Sequence, residues 1–266
     1  MFFRAAAHTA VRGKSRFWQK EGAGLNIKIE ILRCLEAGSP AFWQSFWYEP
    51  ENIAETVAAA LTGLNERPQL MDTEGHPAEP IRWECNCLQK KCGACAMVIN
   101  GRPALACAVR LADVGKRLRL EPLKKFPLIA DLAVDRSIMQ ENLKRLRTWL
   151  ETEAQGEKSC SEDLYEAARC LQCGCCLEIC PNYDGGAFTG MAAAVSFARI
   201  LAETGGEQHK KAAAGYERHF YQGCGKSLAC HTICPAGIAV ERLLIRSNAA
   251  VWKKYFPSLI FPYSKE

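Results

Sequence analysis

The 266-residue chain has no long hydrophobic run. Its longest stretches without Asp, Glu, Lys or Arg are 14 residues, at 185–198 and 227–240. A spanning helix needs ~20 predominantly apolar residues, so the sequence predicts no transmembrane segment. No apolar stretch of the length of a secretory core follows the first positive charge, which argues against a signal peptide. The chain also lacks a G-x-x-x-x-G-K-[ST] phosphate loop, an internal repeat and a long low-complexity tract. Charge is nearly balanced, with 34 Lys+Arg against 29 Asp+Glu. Of the net +5, residues 1–24 carry +4, through Arg4, Arg12, Lys14, Arg16, Lys20 and Glu21. No basic stripe interleaved with aromatics occurs elsewhere, so no nucleic-acid partner is expected. Residues 1–24 form a basic extension, expected to be disordered. They are Ala-rich and acid-poor, in the manner of an organelle transit peptide or a tail touching anionic lipid.

Cysteine is abundant. Fifteen in 266 residues exceed ordinary enzyme usage yet fall short of a disulfide miniprotein. All but Cys34 and Cys160 lie in three clusters, at 85–107, 170–180 and 224–234. Short gaps within clusters favour metal ligation over a disulfide framework. The odd count adds to this, and a reducing compartment follows as the expectation.

Apolar residues make up 48% of the chain, enough to bury a core. Residues 25–34 (LNIKIEILRC) alternate apolar and polar, a strand pattern. Residues 42–48 (FWQSFWY) suit a second strand after the Gly-Ser-Pro turn at 38–40. Asn52 is placed to cap a helix with Ile53, Val57, Ala60, Leu61 and Leu64 on one face. Short strands are predicted at 96–99 and 117–121. After residue 125 almost no strand signal remains. Residues 137–153, 161–168, 191–204 and 238–247 read as helices, and Ser161-Glu162-Asp163 sets acids at the positive end of a helix dipole. The expected fold is α+β over 25–125 followed by an all-helical domain over 126–266, joined around 122–130.

Cys87, Cys92, Cys95 and Cys107 follow the C-x4-C-x2-C…C spacing of plant-type [2Fe-2S] sites. Thiolates suit iron bridged by sulfide because soft donors are preferred there. Gly93 sits where a backbone would approach closely, and loop N–H groups can bond the sulfurs. Cys85 could replace Cys87 in an x6 register, but x4 is the known pattern. A zinc scaffold without redox chemistry is the competing reading of the C-x2-C pair.

Cys170, Cys173, Cys176 and Cys180-Pro181 match C-x2-C-x2-C-x3-C-P, the bacterial ferredoxin run whose fourth Cys ligates the other cluster. Cys224, Ser227, Cys230 and Cys234-Pro235 repeat it with serine in one place. The crossover rule gives one [4Fe-4S] site of Cys170, Cys173, Cys176 and Cys234. The other site holds Cys180, Cys224 and Cys230, and three thiolates suit [3Fe-4S]. The alternative there is a [4Fe-4S] cluster with the Ser227 hydroxyl as fourth ligand. Cys34, Cys85, Cys160 and Cys175 are left as packing residues. No catalytic residue is predicted.

A plant-type domain followed by a helical domain with these motifs resembles the iron–sulfur subunits of succinate dehydrogenase and quinol:fumarate reductase. The resemblance covers about residues 25–250. It is carried also by Cys92-Gly-Ala-Cys95-Ala-Met, Leu105-Ala-Cys107, the run FPLIADLAVD at 126–135 and the prolines after Cys180 and Cys234. It implies a β-grasp domain, a helical ferredoxin domain, and one-at-a-time electron relay between a dicarboxylate-converting flavoprotein and a membrane quinone. It implies FAD in the flavoprotein partner and a membrane anchor, with or without heme b, at the cytoplasmic face of a bacterial inner membrane or the matrix side of a mitochondrial one. Ubiquinone-linked members carry a Trp after the 4Fe Cys-Pro and a His after the first Cys of the 3Fe motif. This sequence has Asn182-Tyr183-Asp184 and Gly225 there, which favours menaquinone and fumarate reduction. Lys226, Ser227 and His231 are candidates on the quinone side. Trp252, Tyr255, Phe256, Phe261 and Tyr263 are candidates for contact with the anchor. The runner-up function is electron transfer in a soluble thiol-linked fumarate reductase or glycolate-type oxidoreductase.

Overall fold

The computed structural model describes residues 26–255 apart from 53, 152, 154–161 and 205. The readings of residues 1–24, Ile53, Cys160, Phe256, Phe261 and Tyr263 lie outside the described residues.

Strand β1 (Ile27–Arg33) puts Ile27, Ile29 and Ile31 on one fully buried face. The alternation follows from the two-residue side-chain period of a strand. It pairs antiparallel with β2 (Phe42–Tyr48). Helix α1 (Val57–Asn65) buries Val57, Ala60, Leu61 and Leu64 as the periodicity predicts, but its cap differs. The Thr56 hydroxyl, not Asn52, accepts the Ala59 N–H at 3.2 Å. Asn52 instead accepts from Ala54 N–H at 2.9 Å, closing a side-chain turn ahead of the helix. The sheet continues through β3 (Ala96–Ile99) and β4 (Arg102–Leu105), then α2 (Leu111–Val114) and β5 (Arg117–Glu121). Strand order is β2-β1-β5-β3-β4, with β1 and β5 parallel at the centre. This is a β-grasp arrangement. The edge strand β4 escaped the sequence reading because Pro103 lies inside it, and an edge is where a strand tolerates proline.

Strand structure does continue past residue 125, against expectation. β6 (Leu128–Ala130) and β7 (Ala133–Val134) form a small hairpin. Asp131 in its turn takes a bidentate ion pair from Arg33, at 2.8 and 3.0 Å, with both side chains 1% exposed. Arg33 also donates to Gln44 Oε1 and to the Glu79 and Pro80 carbonyls, and Asp131 accepts from the Cys34 and Arg82 amides. A buried charge pair persists only with its remaining hydrogen-bond capacity filled, and here it is.

The helices are α3 (Ser137–Arg145), α4 (Glu162–Ala168), α5 (Cys175–Ile179), α6 (Gly190–Glu203), α7 (Gly206–Tyr216), α8 (Ala229–Ile233) and α9 (Val240–Tyr255). One π-helical turn, Glu217–Tyr221, extends α7. α3 stops at Arg145 rather than 153, since Arg147 takes φ +52 and Thr148 Oγ1 donates back to the Leu143 carbonyl. α9 begins at Val240 rather than 238 and runs beyond 247. α5, α7 and α8 were not predicted; α5 and α8 span five residues each, too few for a periodic signal.

The core under the sheet continues past residue 125 through Phe126, Leu132, Cys175 and Leu177. A second core gathers Phe197, Tyr216, Phe220, Leu243 and Leu244. Its aromatic rings are stacked, with Phe197 and Tyr216 centroids 4.5 Å apart and Tyr216 and Phe220 5.0 Å apart.

Candidate functional site

The loop from Cys87 to Cys95 is wound tightly enough to turn amides inward. Leu88, Lys90 and Gly93 all have positive φ, at +52, +61 and +76. The Gln89 and Lys91 amides thereby reach Cys87 Sγ at 3.3 and 3.4 Å, and the Lys90 amide reaches Cys107 Sγ at 3.3 Å. These two donors bring the Cys87 thiol down to about 7. Cys95 and Cys107 are buried with their sulfurs 3.4 Å apart. Burial pushes the Cys95 thiol up to about 12. Cys85 is exposed, so it is not the packing residue expected.

Gly93 was expected to allow close approach of backbone to a cluster. A Cβ there would lie 2.7 Å from the Leu171 carbonyl oxygen and 2.9 Å from Cys173 Cβ. The glycine thus lets the first cysteine loop rest directly on the second. Arg136, just ahead of α3, grips the first cysteine loop, donating to the Ala94 and Ala96 carbonyls at 2.9 and 3.2 Å while pairing with Glu84 at 2.6 Å. Lys125 ties the segment after β5 to α5, through its amide to Glu178 and its ammonium to the Cys180 carbonyl.

Two cavities walled by cysteines open in the helical half, among the described residues. Cys170, Cys173, Cys176, Cys230 and Cys234 line the first, with apolar walls from Val195, Ile238 and Val240. Cys180, Cys224 and Cys230 line the second, with Phe188, Phe220 and Leu244. Cys230 and Met191 face both. Burial in these apolar walls pushes the Cys170 and Cys230 thiols up to about 11 and Cys176 well above its ordinary range. Cys173 moves the other way, to about 7, chiefly because Cys175 donates a hydrogen bond to its sulfur. Soft donors on a dry concave wall are the setting an iron–sulfur cluster requires, and the residues present fit one at each place.

Cys34 and Cys175 are buried, as packing residues are. Ser227 lines the second cavity between Lys226 and Leu228, which take φ +57 and +55. Lys226 lines it too, with its ammonium 5.6 Å from the Tyr221 ring centroid. His231 lines neither cavity; its Nδ1 meets Glu241 of α9 at 2.7 Å. Tyr183 is 2% exposed and accepts from Asn142 at 3.2 Å. Trp252 is 43% exposed on α9. Sequence reasoning missed Gln172, Arg136 and Met191 around the cysteines. None has a residue type that announces itself, and only the chain path brings them there.

Residues 28–141 match the 2Fe-2S iron-sulfur cluster binding domain family, and residues 166–238 match the 4Fe-4S dicluster domain family. The succinate dehydrogenase iron-sulfur subunit of Bacillus subtilis is 31% identical over 249 residues, covering 87% of this chain and 96% of its own. The fumarate reductase iron-sulfur subunit of Wolinella succinogenes is 28% identical over 182 residues, 60% of this chain and 73% of its own. A chain of the Mycobacterium smegmatis Sdh1 complex shares the fold, with a TM-score of 0.72 and 21% identity over 89% of this chain and all 100% of that one.

Proposed function

This chain belongs to the family of succinate dehydrogenase and fumarate reductase iron–sulfur subunits, and from that premise we propose how its residues carry the electron relay. Cys87, Cys92, Cys95 and Cys107 would hold [2Fe-2S]. Cys170, Cys173, Cys176 and Cys234 would hold [4Fe-4S], and Cys180, Cys224 and Cys230 a [3Fe-4S] cluster. Clusters bound there supply one-electron redox chemistry, which is the cofactor's own.

The observation that carries the reading is continuity. The first cysteine loop lies on the second through Gly93, and the second site shares Cys230 with the third. These two contacts support three proposed thiolate sets that would follow one another in series. The chain's own work is to hold these positions, exclude water with apolar walls and aim amide N–H groups at sulfurs. Each such N–H stabilises negative charge on its sulfur, which favours the reduced state.

At the two ends of this series the proposed partners are an FAD-containing flavoprotein that converts succinate and fumarate, on the Cys87–Cys107 side, and a quinone-binding membrane anchor, with or without heme b, on the Cys180–Cys224 side. Among the described residues no helix is long and apolar enough to cross a membrane. We place the subunit peripherally at the cytoplasmic face, attached through the anchor. Menaquinone is the proposed quinone, because the stretch after Cys180-Pro181 holds no Trp and Gly225 rather than His follows Cys224, where ubiquinone-linked relatives carry both. Lys226 and Ser227 are the proposed quinone-side residues.

The test is fumarate-dependent oxidation of a reduced viologen by the complex co-purified with this chain in mild detergent. Oxidation of the dye is the expected result. A brown, flavin-containing complex inactive with fumarate would overturn the dicarboxylate reading in favour of thiol- or glycolate-linked chemistry. A colourless, zinc-replete protein would overturn electron transfer altogether.

A further inference from the structure

The two-residue spacer between Cys170 and Cys173 carries an amide aimed at a sulfur. Gln172 is held at φ +49, a left-handed conformation that an L-residue adopts only at a cost. Its side chain turns back along the loop, and Nε2 lies 3.3 Å from Cys170 Sγ, 3.1 Å from the Ala192 carbonyl and 3.2 Å from Ser196 Oγ. The Ala192 carbonyl can only accept, so this end of the amide is the nitrogen. One of its two hydrogens goes to Ala192, which leaves the other for the sulfur and the Ser196 hydroxyl. The opposite end, Oε1, is buried with no hydrogen-bond partner. A buried unpaired acceptor is destabilising. A leucine or methionine would fill the same space without that orphan oxygen, so filling space does not explain the amide.

We propose that Gln172 sets the potential of the cluster held by Cys170, Cys173, Cys176 and Cys234, by donating Nε2–H to the Cys170 thiolate. The proposal rests on the ligand reading given above. Reduction adds one electron and one negative charge to the cluster and its thiolates, and no bond forms or breaks. A donor at the sulfur stabilises the more negative state more strongly, so the amide raises the potential. Gln172 acts through Cys170 and is therefore a positioning residue. Ser196 and Ala192, both on α6, fix the direction of its N–H.

The experiment is a dye-mediated redox titration of the intact complex, followed by EPR, for wild type, Gln172→Leu and Gln172→Glu. All three cluster signals are read in each sample. The wild-type spectra test the ligand reading by themselves, since a missing four-iron signal would fail it before any variant is compared. With that signal present, Gln172→Leu is expected to shift its reduction equilibrium about tenfold toward the oxidised form, equivalent to 59 mV downward for one electron. Gln172→Glu keeps the shape, removes the donor and adds an anion, so its shift is expected in the same direction and at least as large. The potentials of the other two centres stay in place. An unchanged four-iron potential in both variants would overturn the proposal, as would an equal shift of all three centres. Loss of the four-iron signal alone in both variants would also overturn it, because Gln172 would then serve assembly rather than potential.

Discussion

Cys85 and Cys87 are separated by a single residue and receive different treatment from the backbone. Two amides converge on the Cys87 sulfur, while Cys85 is exposed. Cys85→Ser is therefore expected to leave the [2Fe-2S] EPR signal unchanged, whereas Cys87→Ser is expected to abolish it or shift its g values. The reverse result would move the first ligand to Cys85. At the second cavity, Ser227 completes the C-x2-C-x2-C-x3-C spacing in every respect but its atom. Ser227→Cys would put a fourth thiol on the wall lined by Cys180, Cys224 and Cys230. The oxidised protein is then expected to lose a three-iron EPR signal and the reduced protein to gain a four-iron one. Retention of the three-iron signal would show that residue 227 does not reach the site. These positions were readable in the sequence because thiolate chemistry restricts the residue type and a short loop restricts the gap. Gln172 was not readable. Its role depends on a backbone angle, and an amide in a spacer resembles any other polar loop residue.

Gly93 decides how closely two elements approach. Gly93→Ala combines left-handed strain, about 1–2 kcal/mol, with a clash against the Leu171 carbonyl. The thermal midpoint of the complex is expected to fall by ~4 °C or more, with slower electron transfer from the first centre to the second. Gly101→Ala supplies the comparison, since Gly101 has nearly the same φ, +78, and nothing within 4 Å of its Cβ position. Equal effects of the two substitutions would reduce the Gly93 result to backbone strain alone. A second link between elements is the Arg33–Asp131 pair, which ties the end of β1 to the β6–β7 turn. Arg33→Met leaves a buried carboxylate without its cation, expected to cost ~3–5 kcal/mol in a urea unfolding measurement. A loss under ~1 kcal/mol would mean that Asp131 finds water or a proton instead. β1 was legible from alternation, and β2, β3 and β5 from short runs of strand-forming residues. The hairpin at β6–β7, the edge strand with Pro103 and the five-residue helices α5 and α8 were not, because each is too short or too irregular to carry a period. The Arg33–Asp131 link spans 98 positions and leaves no local trace.

For the whole molecule, the two halves share more than a linker. The core beneath the sheet includes Cys173, Cys175 and Leu177, so the cysteine-bearing loop of the helical half is built partly on the first half's packing. In the proposed ligand assignment, the cysteines at the ends of α5 and α8 would add a further bond between neighbours. α5 begins with Cys175 and Cys176, the latter on the first cavity, and is followed by Cys180 on the second. α8 contains Cys230 and is followed by Cys234 on the first. With the proposed clusters bound, each helix would be a five-residue strut pinned at both ends to different sites. Emptying one site frees an end of both struts and slackens the other. Slow treatment with an iron chelator under air is therefore expected to remove the four-iron and three-iron EPR signals with a single half-time, while the [2Fe-2S] signal, anchored in the sheet, outlasts them. Separate half-times would show that the struts bear no load. For a cell, damage at either centre then means the loss of a pair, and repair must reload two clusters into one reopened frame.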